Sequence, residues 1–315
     1  MRLLLAALLG GLLAAPAPQN VRFAVPEGTV LRKTFDIGSK FVLEDMSMKV
    51  NGAIQPSADV GKKDLYARQD RRVVVLDRYV EAGQHRPEKL RRRYESLSGK
   101  KVDRMPLMQP GGKQKDSDLE STLEGCTVVF TWDGARKDFA ARLVDGETRV
   151  PLDGLREDMD LRLFLPGKDV SEGDAWTVDA GLFDEIFTLG GSLGLENEEG
   201  SWFESQLAEI LEGDIRVTYA SLDDSGIANL AIRAELPFDG VVKDERSGAP
   251  MDCRGDVNMK GTLHWNVKAG HFQDFDLEAD MDLSMHIDPK DPRARMEIEM
   301  EMTFDVKISG KAEQL

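Results

Sequence analysis

Gly190-Gly191-Ser192-Leu193-Gly194 has the G-x-S-x-G spacing of a nucleophile elbow, in which a serine on a sharp strand-to-helix turn attacks an acyl carbon. Such an elbow needs an apolar helix behind it. Leu195-Glu-Asn-Glu-Glu-Gly200 follows instead, so the stretch reads as a Gly-rich connection. The four histidines, His85, His264, His271 and His286, show no HExxH or comparable local spacing, and the sequence offers no ready zinc site. With no catalytic residue, cofactor site or metal site emerging, the expectation is a protein that is not an enzyme.

Two further side-chain patterns stand out near the C-terminus. Asp276, Glu278, Asp280, Asp282 and Asp288 share one phase of a period-two alternation, and Glu297, Glu299, Glu301 and Asp305 share one phase of another. If the two segments pair, carboxylates face carboxylates across the ladder, which is destabilising. Solvent screening with Lys or Arg neighbours relieves this more simply than calcium, because no calcium-loop spacing is present. The opposite phase carries Met281, Met285, Met296, Met300 and Met302, with Met46, Met48, Met251 and Met259 in other strand-like segments. Methionine adapts to irregular surfaces. Core filling accounts for these residues; the functional alternative is an apolar pocket lined by Met281, Met285, Met300 and Met302 with Trp202 and Leu207.

The elements that position these side chains are strands. Phe275–Ile287 and Met296–Ile308 are apolar at every second residue, the period of a half-buried strand, and Asp288–Arg295, with two prolines, reads as the turn between them. Earlier strands are expected at Val30–Ile37, Lys40–Val50, Arg71–Glu81, Leu90–Leu97, Leu123–Trp132 and Lys137–Val144, separated by turns such as Asn51-Gly52, Ser98-Gly99 and Asp145-Gly146. Met105–Asp118 reads as an exposed loop. Leu152, Leu155, Met159 and Leu163 predict a short helix between Pro151 and Pro166, and Ser201-Trp-Phe-Glu204 has the form of a capping box, with Gly213 as the stop. Strands resume at Ile215–Leu222, Ile227–Leu236, Phe238–Arg246 and Asp252–Val267. This order excludes a βα alternation. The fold class expected is mainly β (α+β): a large curved antiparallel sheet or half barrel, with two helices covering its apolar face.

Arg2, the apolar run Leu3–Ala15 and Ala-Pro-Ala-Pro read as an export signal over residues 1–17 that is too short to span a bilayer. The rest, 18–315, is expected to form a single β-rich domain, the alternative being two sheet lobes divided near 150–215. Export makes a disulfide between Cys126 and Cys253, the two cysteines, permissible; two buried free thiols are the alternative. The formal charge is -16, yet Gly61–Lys115 holds 16 basic against 7 acidic residues. The acidic remainder disfavours nucleic acid, and the basic Lys89-Leu-Arg-Arg-Arg-Tyr94 run reads as a solvated strand face.

Leu165-Pro-Gly-Lys-Asp-Val-Ser-Glu-Gly-Asp-Ala-Trp176 and the Gly261-Thr-Leu-His-Trp to Gly270 stretch resemble phrases of a family of uncharacterised exported β-rich bacterial proteins. The resemblance spans roughly residues 120–310 and implies an exported protein with no catalytic residues to carry over. In architecture alone the expected sheet with helical cover is similar to periplasmic lipoprotein carriers. The resulting expectation is an exported, periplasmic or extracellular, non-enzymatic protein that binds a lipid, other apolar ligand or acylated partner between sheet and helices. The alternative is a structural or protein-interaction component of the cell envelope with no ligand cavity. Neither reading includes an integral membrane segment after signal removal.

Overall fold

The computed structural model of the protein describes residues 18–51, 53–55, 65–104, 115–195, 201–243, 250–287 and 296–315. The export-signal segment, Gly52 and the Asp288–Arg295 turn lie outside the described residues. The first part folds as β1 (Val30–Val50), β2 (Ala53–Gln55), β3 (Tyr66–Glu81), β4 (Lys89–Asp103), β5 (Lys115–Glu120), β6 (Thr127–Asp133) and β7 (Asp138–Asp145). A stretch with short 3-10 turns leads to β8 (Ala175–Asp179), α1 (Phe183–Phe187) and α2 (Ser201–Ile210). The chain then runs through β9 (Asp214–Leu222), β10 (Ile227–Lys243), β11 (Pro250–Asn266), β12 (His271–Ile287) and β13 (Met296–Gln314).

All of these strands join one open antiparallel sheet of 13 strands in the order β7-β6-β4-β3-β1-β13-β12-β11-β10-β9-β8, with β2 added to β1 and β5 to β4. The fold is mainly β, as the alternation predicts. The C-terminal pair forms from Asp274↔Lys311 to Ile287↔Ile298, and its unbroken alternation puts the apolar phase on the buried face. β13 also pairs with β1 from Leu31↔Gln314 to Val50↔Met296, so the last strand lies in the middle of the sheet, beside the first.

Several expected boundaries are corrected. Gly38-Ser39 does not divide β1; the ladder continues through Gly38↔Lys307 and Gly38↔Asp70. Ser98-Gly99 is not a turn either. Gly99 sits inside β4, where a Cβ would come 2.5 Å from the Asp70 carbonyl oxygen, so glycine here serves close strand approach rather than chain reversal. Leu236 and Phe238 belong to one strand, β10, despite Pro237 between them. β9 pairs with β10 only as far as Arg233, and proline is tolerated where its missing N–H faces no ladder partner. Of the expected 105–118 loop, residues 105–114 lie outside the described residues and 115–118 are strand, because Lys115–Glu120 pairs with β4. The helix expected around Leu152–Leu163 is replaced by two 3-10 turns, Leu152–Gly154 and Arg162–Phe164. Its apolar residues are spaced for a helix but point at a sheet that an irregular chain covers equally well, while Arg156, Asp160 and Arg162 are diverted to polar partners.

The core lies on one face of the sheet. Val21, Phe23 and Val25 of the leading segment are buried against it, held by the Ala24 N–H on the Gly270 carbonyl (3.1 Å) and by Trp265 Nε1–H on the Arg22 carbonyl (3.1 Å). The segments on either side of β8, residues 150–174 and 180–195, cover the adjoining area. α2 packs on β10, its Ile210 over Gly240, where a Cβ would approach Ile210 Cγ2 to 2.8 Å. The Gln206 amide brackets Lys243, accepting from its N–H (2.7 Å) and donating to its carbonyl (3.0 Å), which satisfies the end of an otherwise exposed strand edge.

Phe35, Gly310 and Phe275 are directly opposite one another on β1, β13 and β12, the two rings 6.1 Å apart and meeting over the glycine. A Cβ on Gly310 would lie 2.3 Å from Phe275 Cε1. Gly310→Val is therefore expected to lower unfolding stability by about 1–3 kcal/mol, the usual cost of overpacking a core, measured by urea denaturation; an unchanged midpoint would show that the aromatic pair yields freely.

Candidate functional site

The pairing registers assemble the methionines into rows that cross the sheet. One row runs Gly240, Cys253, Met285, Met300, Met46; the next runs Phe238, Gly255, Leu283, Met302, Leu43. A third contains Leu236, Val257, Met281, Phe304 and Phe41, and the outermost contains Val242, Met251, Ile287, Ile298 and Met48. A bulge at Glu44 keeps Leu43 and Met46 in one phase; without it Met46 would turn to solvent. Met281, Met300 and Met302 are buried, whereas Met285, Ile287, Ile298, Met46, Phe41 and Phe304 are half-buried. Leu207 is buried on α2, at the β10 end of these rows. Trp202 is in the same helix, but its side chain lies outside the described residues. The structure thus brings the four predicted methionines together, with Leu207 at the flank.

A second cluster escaped the sequence reading. Lys33 (β1), Asp77 and Tyr79 (β3) and Arg92 (β4) all occupy the inward phase of their strands and are fully buried. Arg92 grips Asp77 through two parallel bonds, Nε to Oδ1 (2.7 Å) and Nη2 to Oδ2 (2.8 Å). Lys33 Nζ contacts Asp77 Oδ2 and Asp160 Oδ1, both at 2.8 Å, and the Tyr79 hydroxyl donates to Asp160 Oδ2 (2.9 Å). Arg92 also donates to the Arg156 and Glu157 carbonyls (3.0 and 2.9 Å), which ties the irregular cover to the sheet. The local chain direction depends on Leu161, a buried non-glycine residue with φ 55°. That left-handed turn costs about 1–2 kcal/mol and lies between Asp160, which reaches Lys33, and Arg162, which reaches back to Glu157 and Asp158.

Electrostatics follows from these contacts. Burial alone would raise Asp77, but Arg92 and Lys33 outweigh it and hold the carboxyl at about 2. Burial pushes the Tyr94 hydroxyl up to about 12 and Glu157 up to about 7 against the pull of Arg162. Glu157 Oε1 and Arg162 Nη1 are buried without a hydrogen-bond partner among the described residues. Both residues line an open cleft of about 480 Å³ with Arg86, Trp132, Arg156, Asp158 and Glu185. Arg86 stacks on the Trp132 ring at 3.5 Å. The cluster of Lys33, Arg92, Asp77 and Asp160 is charge-balanced, and Lys33 Nζ lies equally close to the Asp77 and Asp160 carboxylates.

The remaining candidate groups are dispersed. Ser192 is an exposed loop residue after Gly190 and Gly191, both at positive φ, rather than the apex of a strand-to-helix turn. Cys126 and Cys253 are separate buried free thiols. Among the described residues no three His, Cys, Asp or Glu side chains converge as metal ligands. The expected confrontation of acids in the last hairpin is largely undone by register. Glu278 falls between Lys260 and Lys307 (3.3 and 2.7 Å), Asp276 faces Ser309 and Asp282 faces Thr303; Asp280↔Asp305 is the one directly opposed acid pair in the described β12–β13 ladder. The outer face is hollowed by a groove of about 1010 Å³ spanning β5 to β11.

No family model matches the chain, and no curated protein matches it. Among solved structures, the crystal structure of an outer membrane channel from Pseudomonas putida F1 is similar at 9% identity over 95% of this chain and 100% of that chain, with a TM-score of 0.21, a level that carries no argument. Among the described residues no helix is long and apolar enough to cross a membrane.

Breaking a buried ion pair typically costs about 3–5 kcal/mol, so Asp77→Asn is expected to lower stability by that amount at neutral pH. Because the folded-state value of Asp77 is depressed from 3.8 to about 2, its contribution is complete above pH about 4 and fades as pH falls toward 2. The deficit of the variant should therefore shrink by roughly 2 kcal/mol across that window. Urea unfolding of both proteins from pH 7 to 2 measures this, and a pH-independent deficit would count against the assignment.

Proposed function

We propose that the protein is an exported, non-enzymatic binding module that holds an apolar chain, as a free lipid or on an acylated partner, against the methionine rows. One observation carries the reading. Burial decreases along adjacent strands, from Met281, Met300 and Met302, which are buried, to Met46, Met48, Met285, Ile287 and Ile298, which are half-buried. These last side chains form a contiguous apolar surface in which three flexible methionines adjoin two stiffer isoleucines, rather than isolated exposed positions. Thioether side chains suit a ligand of variable shape, because their unbranched stems repack at low cost. α2 forms a wall at the β10 end through Leu207 and Ile210.

The test uses the purified native protein. Organic extraction followed by mass spectrometry is expected to release a stoichiometric apolar molecule, and a fluorescent fatty acyl probe is expected to bind the delipidated protein. Met285→Asp, at a half-buried position, should weaken probe binding at least tenfold while the unfolding transition stays cooperative. A protein that carries no lipid and binds no probe would overturn this reading in favour of an envelope interaction protein.

A further inference from the structure

We propose that Lys33 and Asp160 form an intramolecular isopeptide bond that covalently joins β1 to the irregular segment covering the core. Lys33 Nζ is 2.8 Å from Asp160 Oδ1, both side chains are fully buried, and they come from elements held in place by the sheet ladder and by Arg92. Groups fixed at this separation react with effective concentrations of about 10⁵–10⁸ M in favourable intramolecular cases. The choice of carboxyl follows from the hydrogen bonds. Both oxygens of Asp77 are engaged by the Arg92 fork, which keeps that group anionic and a poor electrophile. Asp160 instead accepts from the neutral Tyr79 hydroxyl at 2.9 and 3.2 Å, which polarises its carboxyl group.

The condensation balances within the cluster. A proton passes from the Lys33 ammonium to the Asp160 carboxylate, leaving a neutral amine beside a neutral acid. The amine nitrogen attacks Asp160 Cγ, with Tyr79 donating to the developing oxyanion. Asp77, 2.8 Å from Nζ, relays the second nitrogen proton to the departing hydroxyl in concert with C–O cleavage, so that it is never left protonated beside Arg92; water leaves. One cation and one anion disappear from a buried site, and the Asp77–Arg92 pair remains charge-balanced. This product avoids the desolvation cost that a buried ion pair carries. Because two carboxylates stabilise the Lys33 ammonium at rest, the neutral amine–acid pair is sparsely populated and the bond forms slowly after folding.

The proposal is independent of ligand binding at the methionine rows. Intact-mass spectrometry of the denatured wild-type protein, with its N-terminus defined by peptide mapping, is expected to give the sequence mass less one water. Tryptic digestion should yield a branched peptide joining Lys33 to Asp160. Tyr79→Phe, folded by circular dichroism, should accumulate the bond at least tenfold more slowly, and Lys33→Met should show no deficit. A folded wild-type protein that retains the full sequence mass after prolonged incubation, or a lost water mapped to any other residues, would overturn the proposal.

Discussion

The pairing of β1 with β13 is the constraint on which the rest of the structure depends. It unites residues from opposite ends of the chain over almost the whole length of both strands, and every other strand is added outward from this centre. Loop closure across such a separation is entropically expensive, so the pair must be stabilised by what it buries. The Phe35–Gly310–Phe275 contact, the Leu43–Met302 and Met46–Met300 pairs and the bulge at Glu44 serve that purpose. They also set the register that aligns all the methionine rows.

At one end of the buried face the sheet departs from apolar packing. Lys33, Asp77 and Arg92 occupy positions in phase with Leu31, Phe35, Val75 and Leu90, where a hydrophobic side chain would be the simpler choice. A buried ion pair is weak evidence for stability, since apolar replacements often perform as well. Its geometry is specific, however. The Arg92 fork and the bonds it donates to the Arg156 and Glu157 carbonyls select one position for an irregular segment that has no ladder of its own. The strained Leu161 and the raised Glu157 are tolerated because the surrounding contacts over-determine them.

The two faces at the other end solve different problems with the same register. Inward, it places the methionines in common rows whose burial declines along the strands. Outward, it separates most of the carboxylates that the alternation had seemed to oppose. Glu278 between Lys260 and Lys307 shows how the third strand matters: a hairpin considered alone contains only one of its two cations.

The sequence by itself determined the class of fold, the C-terminal hairpin, the existence of α2 and the inward phase of Met281, Met285, Met300 and Met302, because period-two and helical patterns are local properties of burial. It misjudged Gly38, Gly99 and Pro237, whose role as strand residues depends on which neighbour approaches and on which side. The charge cluster left a readable trace in the alternation Leu90, Arg92, Tyr94, but the surrounding arginines made the segment resemble a solvated face. Only the tertiary structure supplied Asp77 from the adjacent strand and Asp160 from far along the chain. A buried charge is tolerable only beside its partners, and those partners are brought together by pairing between distant strands, which no local pattern encodes.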